Sequence, residues 1–149
     1  MLVGLFAFLI SIVCFWASQK LIRLYFGVKK WNRVEAKNLS KEVIYDANLI
    51  GGSSAGSKYT VKTEYQYEFE QKTYTNNKIM LAELLGGRFA TLEWQAKKIA
   101  ERITNPIKIY VNPQNPQESV IFCEGITLYF FIALMGFVAF LIGIYHLIA

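Results

Sequence analysis

Apolar residues are concentrated at the two ends of the chain, and a mixed polar segment separates them. Residues 1–17 and 126–149 contain no Lys, Arg, Asp or Glu. A helix needs about 20 mostly apolar residues to cross the roughly 30 Å hydrocarbon core of a bilayer. The second stretch reaches that length alone, and the first reaches it when its helix continues to Phe26. The pattern therefore predicts a transmembrane helix at each end.

The first apolar stretch has the features of an uncleaved anchor rather than those of a cleaved signal peptide. No basic residue precedes it, and small residues do not occupy both cleavage-site positions after it. Lys20 and Arg23 lie in the extended helix, where long basic side chains can reach the interface. We therefore expect a transmembrane helix with a basic juxtamembrane extension (1–26), a strand-rich domain (27–124) and a second transmembrane helix (125–149).

The clearest alternation lies in residues 58–70, where aromatic and β-branched side chains occupy every second position. This period of two is typical of a strand with one buried face. The side chains expected to face inward are Tyr59, Val61, Tyr65, Tyr67 and Phe69. Residues 71–72 then predict a turn, and residues 73–79 predict a returning strand. Upstream, residues 33–45 are loosely strand-like, and the Gly- and Ser-rich residues 47–57 predict a loop.

Residues 92–103 carry apolar side chains on one helical face and basic ones on the other, and Thr91 is placed as the N-cap. Residues 107–111 alternate again, and the prolines of the turn 113–116 end that strand because proline cannot donate to a ladder. A short strand, 119–122, precedes the second apolar helix. The predicted fold class is a membrane α+β protein, in which two transmembrane helices flank a small, mostly antiparallel β domain with one covering helix.

Three stretches of the chain carry a resemblance to a known family. They are Trp31-x-x-Val34 at the start of the first strand, the alternating residues 59–74, and residues 107–120, where a strand ends in an x-Pro-x-Asn-Pro turn. The layout resembles that of bacterial two-span membrane proteins of unknown function, in which a small β domain is inserted between the two transmembrane helices. Members of that family usually have glycine in the hairpin, where this chain has residues 70–72. The resemblance implies the architecture and no reaction.

Basic residues are unevenly placed, since five of the 16 follow the first apolar stretch and the other 11 balance the 11 acidic residues. The five are Lys20, Arg23, Lys29, Lys30 and Arg33. Such a juxtamembrane cluster attracts anionic lipid and is typical of cytoplasmic flanks. We therefore expect contact with membrane lipid and no nucleic-acid partner. We also expect a multi-pass protein of the bacterial inner (cytoplasmic) membrane, with its central domain in the cytoplasm.

Small residues recur at helical spacing in both apolar stretches. In the first they are Gly4, Ala7, Ser11, Cys14 and Ser18, and in the second they are Ala133, Gly136 and Gly143, with Phe140 as a large exception. Small residues let helix backbones approach closely in lipid. One hypothesis is that these faces pack together, within the chain or between copies. The alternative is that small residues are simply common in membrane helices.

The titratable residues do not form a recognisable catalytic or metal-binding set. His146 is the one ionisable residue of the apolar stretches and could relay protons, but its place near the chain end favours an interfacial or packing role. Glu64, Glu68 and Glu70 share a strand face with lysines, which indicates a solvated surface. Asp46 is the only aspartate, and two cysteines with one histidine do not make a zinc site. We expect no catalytic residue, no cofactor and no metal.

These observations favour a non-catalytic, membrane-anchored module that binds a protein partner at or in the membrane, or that associates with itself. The alternative is an immunity protein that neutralises a membrane-active or periplasmic bacterial toxin, because small two-span proteins without catalytic residues suit that role. A membrane enzyme is a third hypothesis, which depends on His146 alone.

Overall fold

The backbone passes from a long helix into a sheet and ends in a second long helix. The computed structural model describes residues 2–45, 59–87 and 91–148. The elements in chain order are α1 (Leu2–Lys29), β1 (Asn32–Tyr45), β2 (Tyr59–Phe69), β3 (Lys72–Asn76), α2 (Leu81–Leu84), α3 (Glu93–Arg102), β4 (Ile107–Val111), β5 (Ser119–Val120) and α4 (Ile126–Ile148). The loop predicted at 47–57 lies outside the described residues.

The chain divides into two compact units. The helical unit contains Met1–Gly27 and Glu124–Ala149, and the central unit is Val28–Cys123. The central unit holds a five-stranded antiparallel sheet in the order β3-β2-β1-β4-β5. The predicted architecture is confirmed, because an N-terminal and a C-terminal apolar helix flank this sheet and its small covering helix.

Both terminal helices are long and apolar enough to cross a membrane. α1 continues past Phe26 to Lys29. At 1.5 Å per residue, α1 spans about 42 Å and α4 about 35 Å. The uncharged part of α1, residues 2–19, therefore spans about 27 Å, close to the hydrocarbon thickness.

β2 keeps the predicted alternation along its whole length. Val61, Tyr65 and Tyr67 are buried, while the even-numbered side chains between them are exposed. Tyr59 and Phe69, at the two ends, are partly buried. The prediction of the inward face is confirmed, because a strand with one covered face needs a period of two.

β1 shows only a weak apolar pattern because a bulge interrupts it. Its register with β2 shifts between Asn38 and Ser40. An extra residue in one strand changes which later positions face the core. Ala36 is therefore buried before the bulge, and Val43 is partly buried after it.

The hairpin after β2 turns one residue earlier than predicted. Glu70 and Gln71 form the turn with φ angles of 51° and 63°, and Phe69 pairs with Lys72. Two-residue turns with positive φ match the right-handed twist of paired strands. The prediction of a turn at residues 71–72 is therefore wrong, because the twist of the paired strands favours the turn at Glu70 and Gln71. Neither residue is the glycine that positive φ favours.

β3 ends at Asn76, and the predicted continuation to Ile79 is wrong. The Asn76 side-chain oxygen accepts hydrogen bonds from the backbone N–H of Asn77 at 2.8 Å and of Lys78 at 3.4 Å. Asparagine commonly turns the backbone in this way. The chain thereby leaves the strand direction, and Ile79 enters the core.

Residues 119–122 pair with two neighbours rather than forming one strand as predicted. Ser119–Val120 form β5 against β4. Ile121 and Phe122 instead donate backbone hydrogen bonds to the carbonyl oxygens of Lys78 at 3.3 Å and Ile79 at 2.8 Å. The segment therefore ties the β4 side of the sheet to the chain that follows β3.

Thr91 is not the N-cap of α3, which begins at Glu93. Thr91 exchanges backbone hydrogen bonds of 2.7 and 3.1 Å with Tyr59 and so belongs to the sheet edge. At the helix start, the Gln95 side-chain oxygen accepts a hydrogen bond from the Leu92 N–H at 3.3 Å. Thr91 thus pairs with a residue distant in sequence instead of capping the helix that directly follows it.

α3 covers the inner face of the sheet. Ala96, Ile99 and Ile103 lie in the buried core cluster with the inward residues of the strands. From β1, Lys41 Nζ donates hydrogen bonds to the carbonyl oxygens of Ala100 and Ile103, each at 2.9 Å. A basic group stabilises a helix C-terminus because the last carbonyl groups have no partner within the helix.

Candidate functional site

The small residues of α1 and α4 lie between the two helices. Gly4, Ala7, Ser11, Ser18, Gly136 and Gly143 are buried, and Cys14 and Ala133 are partly buried. A Cβ atom added at Gly136 would lie 2.9 Å from the Cβ of Cys14 and 3.5 Å from the Ser11 carbonyl oxygen. The two backbones approach as closely as glycine permits.

The remaining contacts give the direction of this helix pair. A Cβ atom added at Gly143 would lie 3.1 Å from the Phe8 ring, and Phe8 packs edge-on against Phe140 with ring centres 5.5 Å apart. The later glycine of α4 thus meets the earlier part of α1, so the helices are antiparallel. Phe140 is accommodated by a ring contact rather than by close backbone approach.

The outward surfaces of α1 and α4 are apolar. Phe6 and Trp16 of α1 are 66% and 64% exposed, and Phe130 and Phe131 of α4 are each 57% exposed. Within the most apolar 18-residue stretch of each helix, 17% is buried. A core helix of a soluble protein would instead be mostly buried, so the large side chains of this unit need another cover.

The five basic residues singled out in the sequence have different surroundings. Lys20 Nζ lies 5.0 Å from the centre of the Trp16 ring. The exposed ones in or just after α1 include Arg23, Lys29 and Lys30. Arg33 instead lies on β1, where it donates a 2.6 Å hydrogen bond to the Tyr110 hydroxyl and stacks on that ring. Arg33 therefore also holds β1 and β4 together.

A buried polar cluster connects β2, β3 and β5. The Tyr65 hydroxyl donates to the Lys78 carbonyl oxygen at 3.0 Å and shares a 3.0 Å hydrogen bond with Ser119 Oγ. Asn76 Nδ2 donates to the same Ser119 oxygen at 2.9 Å. Because a phenol has one proton to donate, Ser119 is the donor to Tyr65. Burial raises the pKa of Tyr65, so it is a hydrogen-bond donor here and not a base.

Asn76, together with Tyr67 of β2, also holds the proline-containing turn. The Tyr67 hydroxyl donates to the Pro116 carbonyl oxygen at 2.6 Å, and Asn76 Nδ2 also donates to the Gln117 carbonyl oxygen at 2.9 Å. In the part of the chain that the structure describes, every buried side-chain nitrogen or oxygen has a hydrogen-bond partner. The turn is therefore clamped to the β2–β3 hairpin.

A polar groove runs beside β2 where β3 has already ended. It has a volume of about 810 Å³ and opens to solvent. Val61 and Thr63 line it from β2, Asn77 and Lys78 line it after β3, and residues 86–87 line it after α2. The groove is lined by backbone, by small residues and by charged side chains of both signs. Sites for small ligands are mostly apolar, so this lining suits a polypeptide better than a small apolar ligand.

Glu83 also lines this groove but is engaged by the backbone. Its carboxylate accepts hydrogen bonds from the N–H of Ile79 and from the N–H of Met80, the latter at 3.1 Å. Burial raises the pKa of this carboxyl. Glu83 thus caps the start of α2, an element that is too short to show a period in the sequence.

The other titratable residues considered from the sequence lie apart from the groove or on exposed surface. His146 is exposed beside Tyr145, with ring centres 5.6 Å apart. The exposed carboxylates are Glu64, Glu68 and Glu70. Asp46 lies outside the described residues. Among residues 2–45, 59–87 and 91–148, no three His, Cys, Asp or Glu side chains are grouped to hold a metal ion.

Sequence reasoning placed Tyr65 and Tyr67 inward but missed the polar cluster they form. The available signal was Asn76, a poor strand former that pairs with Tyr65 in the hairpin. Ser119 completes the cluster from a distant part of the chain, so the pairing of strands had to be known first.

One protein family matches a segment that contains the hairpin, the polar cluster and the proline-containing turn. The family described as "Domain of unknown function (DUF3592)" matches residues 42–124, more than half of the 149 residues. No curated protein matches the chain. A match of that extent shows the family, and the chain belongs to DUF3592.

Proposed function

We propose that this protein is a non-catalytic module that α1 and α4 anchor in a membrane, where it binds a protein partner. The observation that carries the proposal is the helical unit, which turns its small residues inward and its large apolar residues outward. We further propose that the membrane is the bacterial inner (cytoplasmic) membrane.

The cost of leaving this unit in water supports the anchor. Burying one large apolar side chain contributes about 1.5–3 kcal/mol, and soluble monomers rarely expose contiguous apolar patches beyond a few hundred Å². Side chains such as Phe6, Trp16 and Phe130 are more than half exposed. Hydrocarbon chains would cover them, and Lys20 and Arg23 would reach the headgroups.

The use of polar side chains in the central unit supports a binding role without catalysis. Tyr65, Asn76 and Ser119 hydrogen-bond within the fold, and Glu83 caps α2. Such groups stabilise the sheet and its turn. The groove beside β2 is the surface we assign to a partner.

We expect crosslinking of intact cells to join the protein to another protein through its central unit. After a carbonate wash, the chain should remain in the membrane pellet, because two uncharged apolar helices hold it there. The crosslinked product should appear in the detergent extract. The matched control is Tyr67→Asp, which keeps both helices but disrupts the sheet, and it should stay in the pellet and lose the product. Release by carbonate, or an equal product from the control, would contradict the proposal.

We also expect the central unit to lie in the cytoplasm, because five basic residues closely follow the first apolar stretch, on the side of the central unit. With both native cysteines replaced by alanine, a Ser54→Cys chain should resist an impermeant maleimide in intact cells and react after permeabilisation. A chain with Ala149→Cys instead should react in intact cells and is the positive control. Labelling of Ser54→Cys in intact cells would refute this orientation and favour the immunity role against a periplasmic toxin.

A further inference from the structure

One face of α1 carries an aromatic residue followed by two basic ones. Ser11 and Ser18 are 2% and 3% exposed and lie on the side of the helix that packs against α4. Successive helical residues are about 100° apart around the axis. Trp16, Lys20 and Arg23 consequently lie within about 60° of the opposite side, and all three are exposed. These three residues form an outward stripe on α1.

The two basic residues of the outward stripe lie where the apolar part of α1 ends. Residues 2–19 span about 27 Å, which nearly fills the hydrocarbon core, and the headgroup layer adds about 5–7 Å on each side. Along the helix axis, Arg23 is about 4.5 Å beyond Lys20, whereas Lys29 is about 13.5 Å beyond it. Of the three basic residues of α1, only Lys20 and Arg23 therefore reach the depth of lipid phosphates.

The Lys20 side chain is held on the outward stripe by Trp16. Helical side chains lean toward the N-terminus of their helix, and Lys20 Nζ lies 5.0 Å from the centre of the Trp16 ring. Tryptophan is enriched at the boundary between hydrocarbon and headgroups. The ring occupies one side of the ammonium group, which has three donors. An anion can therefore bind to the ammonium group from another side.

The turn of α1 that follows Arg23 carries glycine on the same face. Gly27 comes four residues after Arg23, and a Cβ atom added there would meet no described atom within 4 Å. A helical side chain covers the surface on the N-terminal side of its own Cα. A larger residue at this position would therefore lie over Arg23, and glycine leaves room for a headgroup there.

We propose that the outward stripe of α1 binds one anionic phospholipid, with the headgroup phosphate between Lys20 and Arg23. The inference rests on the proposed function, because it requires α1 to lie in a membrane. Residues three apart on a helix are neighbours, with about 5–6 Å between their Cβ atoms, so one phosphate can contact both. The guanidinium group of Arg23 binds phosphate with two parallel hydrogen bonds, and the ammonium group of Lys20 adds a second charge.

The rest of this face selects a lipid rather than free phosphate. Below Trp16 it continues with Leu9 and Val13, which are 55% and 63% exposed and would be covered by an acyl chain. α1 contains three basic residues and no acidic one. It would repel the positive group that a zwitterionic phospholipid carries beside its phosphate. An anionic headgroup lacks that repulsion, so the stripe favours an anionic lipid.

Quenching of Trp16 fluorescence by brominated lipids tests the proposal. A full chain with Trp31→Phe and Trp94→Phe keeps Trp16 as its single tryptophan and is reconstituted in phosphatidylcholine vesicles. Brominated phosphatidylglycerol and, separately, brominated phosphatidylcholine are added at equal fractions. Phosphatidylglycerol should bind about 25-fold more tightly, because each basic residue near an anionic surface contributes about fivefold. Native mass spectrometry of the unsubstituted chain with both lipids should show the same preference.

Three variants separate this site from general attraction to basic residues. Lys20→Gln with Arg23→Gln should lower the preference to about twofold or less, since both charges are lost. The matched control, Lys29→Gln with Lys30→Gln, removes the same charge beyond the headgroup layer and should keep at least about half of it. Gly27→Phe keeps every charge but covers Arg23, and it should lower the preference by about fivefold.

The proposal fails if the two lipids quench Trp16 equally, or if the control pair lowers the preference as much as the Lys20 and Arg23 pair. An unchanged preference in Gly27→Phe would also overturn it, because the headgroup would then lie elsewhere. In each case, retention of the chain in the carbonate-washed pellet and a crosslinked partner would still support the proposed function. Release by carbonate would refute both proposals.

Discussion

A chain with Tyr67→Asp is expected to have an unfolded central unit. The Tyr67 ring is 3% exposed, stacks on Tyr74 and carries the hydroxyl that holds Pro116. Aspartate would lose that packing and place a charge in the buried core, and an unpaired buried charge is among the costliest changes. We expect a loss of about 4–5 kcal/mol or more, comparable with the total stability of a small domain. Denaturant unfolding and trypsin digestion in detergent measure it.

Two matched variants isolate the cause of this loss. Glu68→Lys changes a neighbouring charge on the exposed face and should alter stability by about 0.5 kcal/mol or less. Tyr67→Phe keeps the ring but leaves the Pro116 carbonyl without its donor, and it should cost about 1–3 kcal/mol. If Glu68→Lys destabilised more than Tyr67→Asp, the assignment of the two sheet faces would be reversed.

A chain with Gly136→Leu is expected to lose the close pairing of α1 and α4. Even the first side-chain carbon would lie 2.9 Å from the Cβ of Cys14, a separation that atoms do not tolerate, and the Ser11 carbonyl oxygen lies just beyond. The helices must move apart and give up the contacts between their small faces. We expect a cost of about 1–3 kcal/mol, measured as a lower thermal midpoint of the helical unit in detergent.

The control for this change is Phe137→Leu, one position along the same helix. Phe137 is 49% exposed on the outward surface, so leucine there should leave the midpoint nearly unchanged. Ser11→Leu, on the other side of the contact, should behave like Gly136→Leu. Equal effects of Gly136→Leu and Phe137→Leu would mean that the small residues have no special part in the pairing.

The proline-containing turn that carries the most specific part of the resemblance has a structural role. Tyr67 and Asn76 bind its carbonyl groups, and they come from the hairpin that carries the second resembling stretch. The two stretches contact each other across the sheet. The residue types of Tyr67 and Asn76 are therefore explained by the support that the two stretches give each other.

Much of the architecture could be predicted from the sequence because each of those features has a long, simple period. The two apolar stretches predicted α1 and α4, and the alternation from Tyr59 to Phe69 predicted β2 and its buried face. Both patterns arise from one uniform environment along the whole element, the core on one side of a strand or an apolar surrounding of a helix. Such an environment constrains every residue in the same way, so it can be read without knowing the neighbours.

The tertiary structure alone decided the features that depend on a partner distant in sequence. The twist of two paired strands moved the turn to Glu70 and Gln71, and pairing with Tyr59 took Thr91 away from α3. The Tyr65–Asn76–Ser119 cluster exists only once the strands are in register. The sequence by itself determined which residues avoid water, because hydrophobic burial is non-directional and additive. It did not determine how hydrogen bonds are shared, because each of those needs a particular atom in a particular place.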